Sequence, residues 1–158
     1  MSMKIVVDTN IVFSALLNSS SLIGKILVYS SDKCFSFYSC SYLRTEILKH
    51  FDKLQKYTKL DYIKLFELIQ IIDQKITFID DKLLPKESLE KAAELTKDVD
   101  YDDMAFVAIT DYLNANLWTG DKKLIRGLFD KNYSALKKTE DMAKLLDSYE
   151  KQEKTREE

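Results

Sequence analysis

Carboxylates directly follow two apolar segments that the sequence predicts to be β-strands. Asp8 comes after Ile-Val-Val at residues 5–7, and Asp121 comes after Leu-Trp-Thr-Gly at residues 117–120. A carboxylate beside a buried strand is costly to remove from water unless another group pairs with it. Either aspartate could instead cap the helix predicted to follow it, because Asp is a common N-cap residue. A ligand-binding role and a capping role are therefore both open for these two residues.

A run of acidic residues lies between these two aspartates along the chain. It places four carboxylates within six residues, at Asp98, Asp100, Asp102 and Asp103. Like charges so close together repel one another, and a bound divalent cation would offset the repulsion. Taken alone, the run favours a solvated acidic loop in which Asp102 or Asp103 caps the next helix.

Glu46 is the remaining candidate carboxylate. It lies beside the apolar stripe of a helix predicted over residues 42–54, where pairing with Lys49 or His50 on the surface would by itself explain it. No single acidic feature decides the chemistry. Together they favour a site with only oxygen ligands, which is the kind that Mg²⁺ and Mn²⁺ prefer.

The composition excludes several other catalytic arrangements. The chain has one histidine and two cysteines, too few for a pair of histidine ligands or a four-thiolate zinc site. A P-loop and a Gly-x-Gly-x-x-Gly turn are both absent from the sequence. What remains is a divalent-metal site, whose commonest use is the hydrolysis of phosphodiester bonds.

The overall composition is that of one globular domain. The chain has 158 residues, of which 46% are hydrophobic and 32% charged, enough for a single buried core. We expect one domain over residues 1–149 and a charged, frayed tail over residues 150–158. Asp8 and Asn10 interrupt the apolar N-terminal run, so we expect no targeting segment, no membrane span and a cytoplasmic location.

Predicted strands and helices alternate along the chain. Strands are predicted over residues 4–8, 34–39, 75–79, 117–119 and 133–137. Helices are predicted over residues 10–17, 22–30, 42–54, 60–72, 87–96, 102–114, 121–130 and 140–149. This alternation predicts an α/β fold with a parallel sheet between helices. Ligands of such sheets bind beyond the carboxyl ends of the strands.

Four features, taken in order, resemble the PIN-domain family, including its VapC-like toxin ribonucleases. They are the strand that leads into Asp8-Thr9-Asn10, then Glu46, then Asp102-Asp103 before an apolar helix, and finally Thr119-Gly120-Asp121. The resemblance covers residues 4–146. It implies a three-layer α/β/α fold with a central, mostly parallel sheet of about four or five strands.

The resemblance also implies an activity and its partners. The expected enzyme is an endoribonuclease that depends on Mg²⁺ or Mn²⁺, hydrolyses RNA phosphodiester bonds and leaves a 5′-phosphate. Many small members of the family are toxins of type II toxin–antitoxin pairs. We therefore expect RNA as substrate, a small antitoxin protein as a possible partner, and a homodimer.

Individual roles follow from the same resemblance. Asn10 would orient Asp8, and Thr119 would hold the last carboxylate or touch the scissile phosphate. The sequence leaves open which of Asp100, Asp102 and Asp103 contacts the metal first. The expected catalytic metal ligands are Asp8, Glu46, Asp103 and Asp121, with Asp102 as an additional ligand.

The charged residues near the site lead to two further predictions. Several carboxylates that share one site repel, so we expect at least one raised carboxyl pKa when no metal is bound. Although the net charge is −2, Lys122 and Arg126 lie one helical turn apart just after Asp121. We expect these two residues to contact RNA phosphates.

Other functions stay open. One is an RNA-processing nuclease of this family without an antitoxin, and another is a non-catalytic PIN-like module that binds protein or RNA. The complete acidic set argues against the second. A magnesium-dependent phosphatase or receiver-like domain is a further alternative, which Asp8-Thr9-Asn10 weakens because an Asp-x-Asp motif is missing.

Overall fold

A parallel five-stranded sheet forms the centre of the molecule. The computed structural model describes residues 1–100 and 103–158. The strands are Met3–Val7 (β1), Phe35–Cys40 (β2), Ile76–Ile79 (β3), Asn116–Trp118 (β4) and Leu136–Lys137 (β5). They lie in the order β3-β2-β1-β4-β5, and each neighbouring pair is parallel. The predicted α/β class and parallel sheet are confirmed.

Helices cover both faces of this sheet. They are Thr9–Leu17 (α1), Leu22–Tyr29 (α2), Tyr42–Lys49 (α3), Phe51–Thr58 (α4), Tyr62–Lys75 (α5), Lys86–Thr96 (α6), Met104–Leu113 (α7), Lys122–Asp130 (α8) and Thr139–Glu157 (α9). The apolar residues of α1 to α5 and α9 pack in one core, and those of α6, α7 and α8 pack in the other.

The central strand β1 is buried on both faces. Ile5 and Val7 belong to the core with α1, Val6 belongs to the core with α7, and all three are fully buried. Successive side chains of a strand point to opposite faces, so a run of β-branched residues fits this central position. The run also fixes where the strand ends, because the next residue is Asp8.

Two helical segments differ from their predictions. The helix predicted over residues 42–54 is two helices, α3 and α4, which meet at His50 with φ −102° and ψ 14°. The apolar stripe of Leu43, Ile47 and Leu54 continues across this break, which is why the sequence pattern did not reveal it. The prediction of a frayed tail was wrong, because α9 continues to Glu157.

No single helix in the described part of the chain is both long enough and apolar enough to cross a membrane. The helices α1 and α2 meet these criteria only as a pair, and a bend of 103° separates them.

Removing residues 150–158 should leave the domain intact. These residues are exposed except for the partly buried Glu153, so their loss should change stability by no more than about 0.5 kcal/mol. The fully buried Met142 in the same helix provides the contrast, since Met142→Ala should cost about 2–5 kcal/mol. Thermal unfolding followed by circular dichroism measures both changes. If the truncated chain were as unstable as Met142→Ala, residues 150–158 would contribute to the stability of the domain.

Candidate metal centre

The register of β1 and β4 places Thr119 beside Asp8. Val7 pairs with Trp118 across the two parallel strands, and the Asp8 backbone N–H donates to the Trp118 carbonyl at 3.3 Å. The Thr119 hydroxyl donates to the Asp8 carboxylate and accepts from the Asp121 backbone N–H at 3.1 Å. One threonine side chain therefore links the residues that follow two neighbouring strands.

Asp8 and Asp121 both cap helices. Asp8 accepts from the Ile11 backbone N–H at 2.9 Å at the start of α1. Asp121 Oδ1 accepts from the backbone N–H groups of Lys123 and Leu124 at 3.0 and 3.2 Å at the start of α8. Both capping hydrogen bonds of Asp121 use Oδ1, and the same side chain lines the cavity described next. Capping therefore does not exclude metal binding by the same side chain.

The acidic residues line one cavity at the carboxyl edge of the sheet. Its volume is about 480 Å³, and its lining residues are Asp8, Thr9, Asn10, Tyr42, Glu46, Asp100, Asp103, Phe106 and Asp121. We call it the acidic cavity. The four acidic residues predicted to be catalytic, Asp8, Glu46, Asp103 and Asp121, all contribute to it.

Three carboxylates in the acidic cavity lie close enough together to hold one metal ion. Asp100, Asp103 and Asp121 each place an oxygen within 4.8 Å of the other two. All three side chains are partly buried, and oxygen ligands suit a hard divalent cation. Asp100 was absent from the predicted ligand set, although the acidic run had marked it as an open candidate. The predicted ligand Asp102 lies outside the described residues.

Burial dominates the electrostatics of Asp8. The residue is only 2% exposed, and loss of water raises the pKa of its carboxyl group. Hydrogen bonds from Thr119, Ile11 and Asn10 lower the pKa, while the negative charge of Asp121 raises it further. One raised carboxyl pKa was predicted from repulsion alone. The structure shows the raised pKa at Asp8, with burial as the larger cause.

Glu46 and Asn10 occupy the rim of the acidic cavity. A carboxylate oxygen of Glu46 lies 3.5 Å from His50 Nε2 in the next helical turn, as the surface-pairing interpretation expected, and Glu46 also lines the cavity. The hydrogen bond from Asn10 to Asp8 comes from the backbone N–H. The Asn10 side chain is exposed and available to a ligand.

The loop that carries Asp100 is anchored to α8. Val99 packs where Gly127 has no side chain, since a Cβ there would overlap Val99 Cγ2 and lie 2.9 Å from Cγ1. The Lys131 ammonium group donates to the Leu95 carbonyl at 2.8 Å and pairs with Asp98. Because α8 is capped by Asp121, these contacts fix the loop that carries Asp100 relative to the helix that follows Asp121. The sequence pattern contained no sign of this anchor.

Both cysteines are buried and neither forms a disulfide. Burial raises the pKa of the Cys34 and Cys40 thiols to about 11, which disfavours the thiolate form that binds metal. The acidic cavity is thus an oxygen-ligand site.

The sequence as a whole also matches a known family. The family model for the PIN domain matches residues 6–147. The chain belongs to the PIN-domain family. No curated protein is similar enough in sequence to count as a match. PIN domains are in general nucleases that act on RNA and typically use divalent metals, and the three carboxylates of this PIN domain are a suitable group of ligands.

Gly127→Ala should weaken Mn²⁺ binding by about tenfold or more. The added methyl group displaces Val99 and with it the neighbouring Asp100, and loss of such supporting interactions typically costs 10–100-fold in metal affinity. Isothermal titration with Mn²⁺ measures the change. Gly120→Ala is the matched control, because a Cβ at that position meets no atom within 4 Å.

A second substitution separates the anchor from a general loss of folding. Val99→Ala in the Gly127→Ala protein makes room for the new methyl group and should restore part of the Mn²⁺ affinity. If Gly127→Ala binds Mn²⁺ as tightly as Gly120→Ala does, the anchor does not position the site.

Asp8→Asn should stabilise the metal-free protein. Asn retains an oxygen to cap α1 but removes the charge that is costly to bury. With its pKa raised in the folded state, Asp8 holds its proton where the unfolded chain has released it. Wild-type stability therefore falls as pH rises from the ordinary value of 3.8 through the raised pKa, and stays reduced above it.

Thermal unfolding in EDTA at several pH values tests this. At neutral pH the variant should unfold about 2–4 °C higher for each kcal/mol gained, and below the ordinary pKa the difference should disappear. A lower Tm for Asp8→Asn at neutral pH would show that the Asp8 charge stabilises the PIN domain.

Proposed function

We propose that this PIN domain is a metal-dependent endoribonuclease that hydrolyses RNA phosphodiester bonds and leaves a 5′-phosphate. The observation that carries the proposal is the group of Asp100, Asp103 and Asp121 in one cavity with Asp8 and Glu46. This is a ligand set of oxygen atoms at the edge of a parallel sheet where ligands bind. The fold and the donor chemistry therefore support the same activity.

The carboxylates of the acidic cavity are the metal ligands in this proposal. Asp100, Asp103 and Asp121 hold Mg²⁺ or Mn²⁺, and Asp8 and Glu46 complete the ligand set directly or through water. When bound, the metal lowers the pKa of a water molecule and neutralises charge on the scissile phosphate. Thr119 keeps Asp8 and Asp121 in register through its two hydrogen bonds.

Exposed cations lie on α8, the helix that begins directly after Asp121. Lys122 and Arg126 are exposed, and within the described ranges neither takes part in an ion pair. Arg44, by contrast, binds Asp73 at 2.8 Å and lies over the Phe78 ring. We therefore propose that Lys122 and Arg126 contact RNA phosphates.

A role as the toxin of a type II toxin–antitoxin pair is the finer form of the proposal. Apolar side chains that a partner could cover are exposed on α1, α4 and α5, with Leu17, Tyr57, Ile63 and Phe66 each more than 40% exposed. An antitoxin or a second copy of the chain would bury such surface. Growth arrest on expression of wild type, but not of Asp121→Asn, would support the toxin role over that of a stand-alone processing nuclease.

RNA cleavage with the purified protein tests the activity. Cleavage of a labelled RNA pool should require Mg²⁺ or Mn²⁺ and stop with EDTA. Asp121→Asn and Asp103→Asn should each lower the rate by about 10²-fold or more, since each removes a carboxylate that holds the metal whose positive charge stabilises the transition state. Asp130→Asn, on the exposed end of the same helix α8, is the matched control and should cut normally.

Two outcomes would count against this proposal. Cleavage that persists in the Asp121→Asn and Asp103→Asn proteins would come from a contaminant or another site. A folded wild type that neither cuts RNA nor binds Mn²⁺ would favour a non-catalytic binding module.

A further inference from the structure

A second cavity lies next to the acidic cavity, across the turn of residues 119–121. Its volume is about 640 Å³, and it is lined by Leu22, Thr119, Gly120, Lys122, Ile125 and Arg126 together with Lys138, Thr139 and Glu140. It occupies the carboxyl ends of β4 and β5, whereas the acidic cavity lies between the ends of β1 and β4. We call it the basic cavity, and its volume is in the range of sites that bind small molecules.

The basic cavity is lined mainly by positive charges, whereas the charges that line the acidic cavity are negative. Three cations, Lys122, Arg126 and Lys138, face one anion, Glu140. Among the residues that the structure describes, none of the three cations has an ion pair, although Lys75, Lys91 and Lys131 all have one. Charge complementarity therefore favours an anionic ligand that comes from outside the chain.

The basic cavity also has an apolar wall. Leu22 is 51% exposed at the start of α2, and Ile125 of α8 lines the same cavity. The turn between the two cavities has no side chain at Gly120, and the space beside it is open, because a Cβ there would meet no atom within 4 Å. Cations beside an apolar wall suit a ligand that has both a phosphate and a flat, largely apolar ring.

We propose that the basic cavity binds one nucleotide of the RNA strand, next to the scissile phosphate on one side of the cut. Its phosphate contacts Lys122, Arg126 and Lys138, and its base packs against Leu22 and Ile125. This inference rests on the proposed function. A strand whose scissile phosphate lies in the acidic cavity passes over Gly120 to enter the basic cavity.

The inference makes a prediction about substrate length. Binding energy from a nucleotide that does not react accelerates the cut when it positions the reacting phosphate. Removing that nucleotide should therefore lower kcat/KM, whereas removing nucleotides farther away on the same side should have little effect. Only one side of the cut should show this behaviour, because the basic cavity lies on one side of the acidic cavity.

The test measures how kcat/KM depends on substrate length with and without the cations of the basic cavity. A single-stranded RNA of mixed sequence is shortened one nucleotide at a time from each end around its mapped cut. The kcat/KM of each length is compared between wild type and the double variant Arg126→Ala/Lys138→Ala. In wild type, loss of the critical nucleotide should cost on the order of tenfold. In the double variant the same shortening should change kcat/KM little, because the cations that bind this nucleotide have been removed.

Lys123→Ala is the matched control. Lys123 is an exposed residue of α8, like Arg126, but it does not line the basic cavity. Lys123→Ala should therefore leave the effect of substrate length on kcat/KM unchanged. Binding of the uncut RNA to Asp121→Asn in EDTA, followed by fluorescence anisotropy, gives an independent readout. Removing each cation that binds a phosphate should reduce the slope of log K against log salt by about 0.7 for a single strand.

The outcomes separate the inference from the proposed function. Suppose that wild type cuts RNA, and that shortening the substrate lowers kcat/KM as much in the double variant as in wild type. The inference is then wrong, and the nuclease proposal stands. The cations would then serve another anionic ligand, such as an acidic segment of a partner protein. If wild type cuts no RNA, both proposals fail.

Discussion

Repulsion among carboxylates is the constraint to which the rest of this molecule responds. Asp100, Asp103 and Asp121 bring oxygens within 4.8 Å of one another, and Asp8 is buried beside Asp121 with a raised pKa. Charges so arranged separate unless covalent geometry and packing hold them. The two cores, the strand register and the anchored loop hold these carboxylates together, and a bound divalent cation would offset their repulsion.

Parallel pairing is what makes this concentration of charge possible. Strands that run in the same direction end at the same edge, and each is followed by a helix whose first N–H groups need acceptors. Asp8 and Asp121 satisfy those groups, so helix starts partly compensate the negative charge. The capping interpretation and the ligand-binding interpretation of these two residues are compatible, since both residues cap a helix and both line the acidic cavity.

The sequence predicted the elements that short-range physics determines. Apolar runs closed by Asp marked β1 and the end of β4, and the ordered acidic residues marked a shared cavity. It did not reveal the break at His50, because the apolar stripe continues across it, or the placement of Asp100 within 4.8 Å of Asp121. That placement depends on Val99 packing against Gly127, an interaction between residues far apart in the chain, which no local pattern encodes.

Helix capping has a consequence for how this fold changes over evolutionary time. A relative without nuclease activity would still need an acceptor at the starts of α1 and α8, so selection for stability alone would favour Asp or Asn at positions 8 and 121. The presence of Asp or Asn at positions 8 and 121 is therefore explained by the fold alone, and by itself it does not identify an active relative.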